Sequence, residues 1–256
     1  MILGFAGAGN MAEALARGWA DAEHGPEAML FCDLDPERAA ALAAETGGET
    51  RATLPGLARD VDVLLLAVKP AALEAVAAEI GADSPPILSV LAATPVAKLA
   101  EGVPGVPVLR VMPNQPAEVG AGVLCYVEPD PEMPAEIAGG LVTLLGQLGH
   151  TVALAEEDLD AAMAVMSCAP AYVALFAKAL AAAGAAEGLS NQLALELVVD
   201  TLEGTARLLE VKDPDAVMRA VAPPGGATEA GLEALAAGGF GRALEAAVEA
   251  SLESFR

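Results

Sequence analysis

Ile2-Leu3-Gly4-Phe5-Ala6-Gly7-Ala8-Gly9-Asn10-Met11-Ala12 runs from an apolar segment into Gly-x-Gly-x-x-Ala and on into a helix-like pattern. Such a stretch reads as strand, tight turn and helix start. Gly7 permits the turn, Gly9 lets a phosphate approach the backbone, and Ala12 keeps the helix close to the strand. The first N–H groups of that helix then face the ligand. Asn10 and Met11 therefore join Gly7 and Gly9 as candidate contacts to the pyrophosphate of a dinucleotide. A glycine fingerprint is informative only in the right surroundings, so the segments on either side decide its meaning.

Those surroundings alternate. Residues 28–33 (AMLFCD) predict a second strand and 36–45 a second helix. Residues 61–68 (VDVLLLAV) are a continuous apolar run, the kind buried on both faces of a parallel sheet. Residues 70–80 read as a helix, 87–91 and 106–112 as strands, 122–127 as a further strand and 131–148 as a helix. Strands alternating with helices predict a doubly wound α/β sheet of the Rossmann type, with ligands at the carboxyl ends of its strands. From about residue 155 the pattern becomes helical, over 156–187, 191–209, 214–221 and 228–256. The expected organisation is a dinucleotide-binding domain over 1–154 and an all-α domain over 155–256. The second domain's wide apolar faces suit burial against another copy of the chain.

Bulk composition narrows the function. The 256 residues carry a net charge of −23, which argues against nucleic acid or an anionic membrane as partner. Acids such as Glu245, Glu249 and Glu253 recur at four-residue spacing and read as a solvated helix face. Three cysteines, Cys32, Cys125 and Cys168, have no metal-like spacing and suggest reduced thiols. Met1 leads directly into the first strand with no signal-peptide pattern, and residues 61–68 are too short to span a bilayer, so with reduced thiols the expectation is a cytoplasmic protein without a membrane span or a metal.

At the strand ends lie the other candidate residues. Asp33 closes the second strand, where an acid accepts hydrogen bonds from the adenosine ribose and repels a 2′-phosphate, favouring NADH over NADPH. Ala67, Val68, Lys69 and Pro70 follow the most buried strand at the same edge and are candidate cofactor contacts. Asn114, between Pro113 and Pro116, has both a donor and an acceptor to offer a substrate. Pro224-Gly225-Gly226-Ala227-Thr228 precedes the last long helical stretch, and its N–H groups with the Thr228 hydroxyl would form a nest for a carboxylate. His24 and His150 are isolated, and no serine-nucleophile elbow is present.

In order along the chain, several blocks resemble one family, the pyrroline-5-carboxylate reductases. They are Gly4-Phe5-Ala6-Gly7-Ala8-Gly9-Asn10-Met11-Ala12-Glu13-Ala14, Leu66-Ala67-Val68-Lys69-Pro70, Arg110-Val111-Met112-Pro113-Asn114, Ala169-Pro170-Ala171-Tyr172-Val173, Pro224-Gly225-Gly226-Ala227-Thr228 and Gly238-Gly239-Phe240. The resemblance implies hydride transfer from NADH or NADPH to the C=N carbon of a five-membered cyclic imine carboxylate, giving proline. It also implies that Gly225, Gly226 and Ala227 hold the carboxylate and that Thr228 lies near the ring nitrogen. Interlocked helical domains, sites formed between subunits, and dimers or rings of dimers are further implications. This chain departs from the pattern at Pro223, where the family usually has Ser, and at Met166-Ser167-Cys168, where it usually has Ser-Gly-Ser or Ser-Gly-Cys. Pro223 removes a hydroxyl and a backbone donor.

Two other readings stay open at this point. One is a reductase of a related cyclic imine or keto acid; Lys178 is the lysine such an enzyme would draw on, although it lies about two turns beyond Pro170. The other is a nicotinamide-binding regulatory protein without turnover, motivated by the departures at Met166 and Pro223.

Overall fold

Alternation along the first strand sets up two cores. In β1 (Ile2–Ala6), Leu3 and Phe5 point to one face of the sheet and Ala6 to the other. In β4 (Val63–Leu66), Val63 and Leu65 join the first face, and Leu64 and Leu66 the second. A computed structural model describes residues 1–255. Between these strands run α1 (Asn10–Asp21), β2 (Ala28–Cys32), α2 (Pro36–Thr46), β3 (Glu49–Thr50) and α3 (Leu54–Arg59). After β4 come α4 (Leu73–Ile80), β5 (Ile87–Ser89), α5 (Val96–Gly102), β6 (Val108–Met112), β7 (Gly122–Val127), α6 (Ala135–Gly146) and β8 (Gly149–Leu154).

The eight strands form one sheet in the order β3-β2-β1-β4-β5-β6-β7-β8. All neighbouring pairs are parallel except β6 and β7. The carboxyl ends of β1, β2, β4, β5 and β6 therefore share one edge, and the reversed β7 brings its first residues to that edge. Trp19 on α1 is buried, meets Phe5 edge-on with ring centroids 6.1 Å apart, and donates its indole N–H to Leu144 O at 2.8 Å. That bond ties α1 to α6 across the first core. On the opposite face Leu57, Leu73, Val76 and Leu99 from α3, α4 and α5 complete the second.

Helices follow: α7 (Leu159–Met166), α8 (Ala169–Ala186), α9 (Asn191–Leu209), α10 (Pro214–Val221), α11 (Ala227–Ala237) and α12 (Phe240–Phe255). Two compact units result, residues 1–168 with Phe255, and Ala169–Ser254. The last strand ends at Leu154. The unit boundary falls later because Leu159 and Met163 of α7 pack on Met112 and Cys125 of the sheet.

Several elements differ from the sequence expectation. β8 lies where no strand is expected; it is a half-exposed edge strand paired only to β7, so it lacks the apolar run of β4. β3, α3 and α5 are short and also unexpected. The helix expected over 131–148 starts at Ala135, after Pro134. The stretch 228–256 is two helices, because Gly239 adopts φ +81° between them. The stretch Glu156–Ala186 is long and apolar enough to span a membrane by length and composition alone. It is divided at Ser167–Cys168, before Pro170, into α7 and α8.

Candidate active site

Gly7 sits at the carboxyl end of β1 with φ +103°, a backbone state that L side chains avoid. Its N–H extends the ladder by donating to Cys32 O at 2.8 Å. A Cβ at Gly7 would lie 2.7 Å from Ala67 O and 3.2 Å from Val68 Cγ1, so the turn lies against the strand end that follows β4. Gly9 is the N-cap of α1, with extended backbone and no side-chain cap. The N–H groups of Asn10, Met11 and Ala12 have no intrahelical acceptor, which makes this helix start an anion-binding arrangement. Ala8 and Ala12 are fully buried and draw the helix onto the sheet.

Asp33 is placed directly beside this turn. Its Oδ2 accepts the Ala8 N–H at 2.7 Å and its Oδ1 accepts the Asp35 N–H at 2.9 Å. Asp33 does not cap α2; Asp35 does, accepting from the N–H groups of Glu37 and Arg38. Arg38, which sequence reasoning passed over, reaches back to Asn10 Oδ1 at 3.4 Å and to the Glu13 carboxylate at 3.3 Å. A cation thus stands at the same edge as the Asp33 carboxylate, already paired. Burial, with Glu79 and Asp33 nearby, pushes the Cys32 thiol up, so it stays protonated behind the turn. Ala67 and Val68 are half-buried beside Gly7, whereas Lys69 and Pro70 are exposed where a short 3-10 turn begins.

Asn114 is buried and its amide is used at both ends. The Oδ1 accepts the Val123 N–H at 2.8 Å, and the Nδ2 donates to Met166 O at 3.1 Å. Ser167 adds a bond to Pro113 O at 3.2 Å. The Pro113-Asn114 loop is therefore clamped to the end of α7. A second clamp joins the same two segments further back. Arg110 on β6 is 2% exposed, and its Nη1 donates to Glu156 Oε1, which also accepts the Val96 N–H at the start of α5. Among the described residues, Arg110 Nε and Nη2 and Glu156 Oε2 have no hydrogen-bond partner.

In the helical unit, the loop before α11 is a tight turn. Gly226 N–H donates to Pro223 O at 2.9 Å, and Gly225 has φ +74°. Pro224 followed by a glycine of positive φ is the pattern of a type II turn. Gly226 is the N-cap of α11, so Thr228 is the second helical residue rather than the cap, and it is exposed. Glu229, also passed over by the sequence reading, folds back so that its Oε2 accepts the Gly225 N–H at 2.6 Å. Lys178 is exposed on α8 in an apolar groove with Ala174, Ala181, Leu195 and Val199.

Comparison with known proteins adds to this geometry. Residues 156–256 match the family described as pyrroline-5-carboxylate reductase dimerisation, and residues 2–93 match NADP oxidoreductase, coenzyme F420-dependent. The pyrroline-5-carboxylate reductase of Synechocystis is 35% identical over 97% of this chain and 95% of its own length. The crystal structure of the Streptococcus pyogenes 1-pyrroline-5-carboxylate reductase overlays with a TM-score of 0.90 at 28% identity, covering 100% of this chain and 98% of that one. The Plasmodium falciparum pyrroline carboxylate reductase with NADP bound gives 0.88 at 29% identity, covering 100% and 97%. Identity at this level over nearly the whole of both chains, with a dimerisation-family match over residues 156–256, places the chain: it belongs to the pyrroline-5-carboxylate reductase family.

Proposed function

We propose that this protein reduces 1-pyrroline-5-carboxylate to proline with a reduced nicotinamide cofactor. The observation that carries the reading is the 35% identity to a named reductase over nearly the whole of both chains. The experiment is loss of nicotinamide absorbance with proline as product. Folded protein that binds cofactor but forms no proline above background overturns the reading.

The residues at the sheet edge fit the cofactor. Gly7, Gly9, Asn10 and Met11 would hold its pyrophosphate, because the Gly7 turn has no room for a side chain and the α1 start carries free donors. Ala67, Val68, Lys69 and Pro70 would line its path past β4, and Asp33 would accept from the adenosine ribose. When bound, the reduced nicotinamide supplies a hydride to the imine carbon. Gly225, Gly226, Ala227 and Thr228 are assigned to the carboxylate and ring nitrogen of the substrate. An imine nitrogen can arrive protonated, so orientation by this loop supplies much of what a strong acid would otherwise do. Asn114 is assigned to positioning, since its amide already spans Val123 and Met166. Thr228→Ala is expected to lower kcat/KM by 5- to 150-fold, about 1–3 kcal/mol, with cofactor affinity nearly unchanged. Equal activity in variant and wild type removes the loop from the site.

Asp33 favours NADH in this reading. A 2′-phosphate beside its carboxylate costs about 1–2 kcal/mol, or roughly tenfold in affinity. Asp33→Asn removes the charge and keeps an acceptor for the Ala8 N–H. The variant is expected to lower the KM for NADPH by about tenfold relative to that for NADH. A wild type that prefers NADPH refutes the assignment.

Assembly follows from the helical unit. Leu175, Leu180, Leu193, Leu195, Leu197 and Val199 are exposed on α8 and α9, and the family match over this region is to dimerisation. A homodimer, alone or in a ring of dimers, covers such a face better than a bilayer does, because α7 and α8 are separate helices.

A further inference from the structure

We propose that Glu229 is a specificity-determining residue whose own carboxylate competes with that of the substrate. This inference rests on the assignment of the loop before α11 to the substrate's carboxylate. Glu229 is the third residue of α11, the position from which a glutamate turns back to the helix start. In the usual arrangement such a side chain takes the N-cap N–H. Here the Gly226 N–H is already given to Pro223 O, so the carboxylate reaches one residue further, to Gly225 N–H at 2.6 Å. Both glycine donors of the loop are therefore occupied, one by the turn and one by a negative charge of the chain itself. Pro223 contributes no N–H.

The donors that remain are those of the first helical turn, at Ala227, Thr228 and Glu229. An anion seated on them stands next to the Glu229 carboxylate, and like charges at such separations repel. An imine without a carboxylate meets no such opposition, and a protonated imine is attracted. Glu229 thus shifts the loop's preference from anionic cyclic imines toward uncharged or cationic ones. Its effect belongs to binding, so it should appear in KM more than in kcat.

The test is steady-state kinetics with pyrroline-5-carboxylate and with 1-pyrroline, which lacks the carboxylate. Wild type, Glu229→Gln and Glu229→Ala are compared, with thermal melting as the check on folding. Glu229→Gln keeps an acceptor for the Gly225 N–H and removes the charge, so it decides the question even if Glu229→Ala unfolds. The expected result in Glu229→Gln is a KM for pyrroline-5-carboxylate lowered about five- to tenfold with kcat within about twofold. The KM for 1-pyrroline should change by less than about twofold. A wild type that reduces both imines with the higher KM for pyrroline-5-carboxylate, and a Glu229→Gln in which that gap closes, supports the inference most strongly. Reduction of pyrroline-5-carboxylate by wild type with the same or a higher KM in Glu229→Gln overturns the role of Glu229 and leaves the function standing. Failure of wild type and variants to reduce either imine overturns both.

Discussion

Gly7→Ala is expected to lower stability by about 2–6 kcal/mol and to abolish measurable cofactor binding. The first part follows from sterics. A Cβ at this position lies 2.7 Å from Ala67 O and 2.9 Å from Ala67 C, and both are backbone atoms of a buried strand end that cannot turn aside. The φ of +103° adds strain that no rotamer relieves. To make room, the turn must pull away from β4. That movement breaks the Gly7 N–H bond to Cys32 O and the Ala8 N–H bond to Asp33, and it tilts the start of α1. Gly9→Ala is the informative partner. Its Cβ meets nothing closer than Ala67 O at 4.0 Å, and its φ of −80° suits alanine. Stability should stay within about 1 kcal/mol of wild type. Affinity for NADH should still fall about tenfold or more, because the new methyl projects where a pyrophosphate is to sit. Urea unfolding and cofactor titration, each on both variants, separate the two effects. Undiminished cofactor affinity in Gly9→Ala would remove the pyrophosphate from this turn.

The strand, turn and helix start around Gly7 and Gly9, with Asp33 at the neighbouring strand end, were legible because their signals are local. Gly7, Gly9 and Asp33 belong to two strand ends whose apolar runs announce them, and the register Ala6 with Cys32 brings them together without long-range knowledge. The continuous run in β4 was legible for the same reason. β8 was not, since Gly149–Leu154 is half-exposed and takes its stability from β7 rather than from an apolar face of its own. Asn114 was visible as a polar residue between prolines, but its partners lie 9 and 52 residues away, so its use in clamping the loop was not. Glu229 could have been found: a glutamate three residues after the N-cap is a known capping signal, and Gly226 is that cap. Arg110 carried a signal of its own, a lone cation in the run Val108–Met112, which a buried strand tolerates only with a partner. The identity of that partner is not a local property.

Glu156→Leu is expected to destabilise the protein by about 3–5 kcal/mol, and the double variant Arg110→Met/Glu156→Leu to recover most of the loss. Arg110 is 2% exposed, whereas the Glu156 side chain is 36% exposed. Removing the carboxylate takes away the counter-charge of a guanidinium in the sheet whose Nε and Nη2 already have no partner among the described residues. Desolvation of that cation is then uncompensated, which is the large term. Removing both charges takes the term away and leaves apolar side chains in their place. What the double variant still lacks is the acceptor for the Val96 N–H at the start of α5, a loss of about 1 kcal/mol. Function should follow the same order. The Arg110–Glu156 pair and the Asn114–Met166 bond fasten the same two segments, β6 with its Pro113-Asn114 loop and the chain from Glu156 through α7. When the first clamp fails, the second carries the loop alone, and activity in Glu156→Leu should fall more steeply on warming than in wild type. Urea midpoints for wild type, the single and the double variant at one protein concentration provide the measurement. A single variant that loses less than about 1 kcal/mol, or a double variant no better than the single, shows that the pair does not restrain the loop by charge.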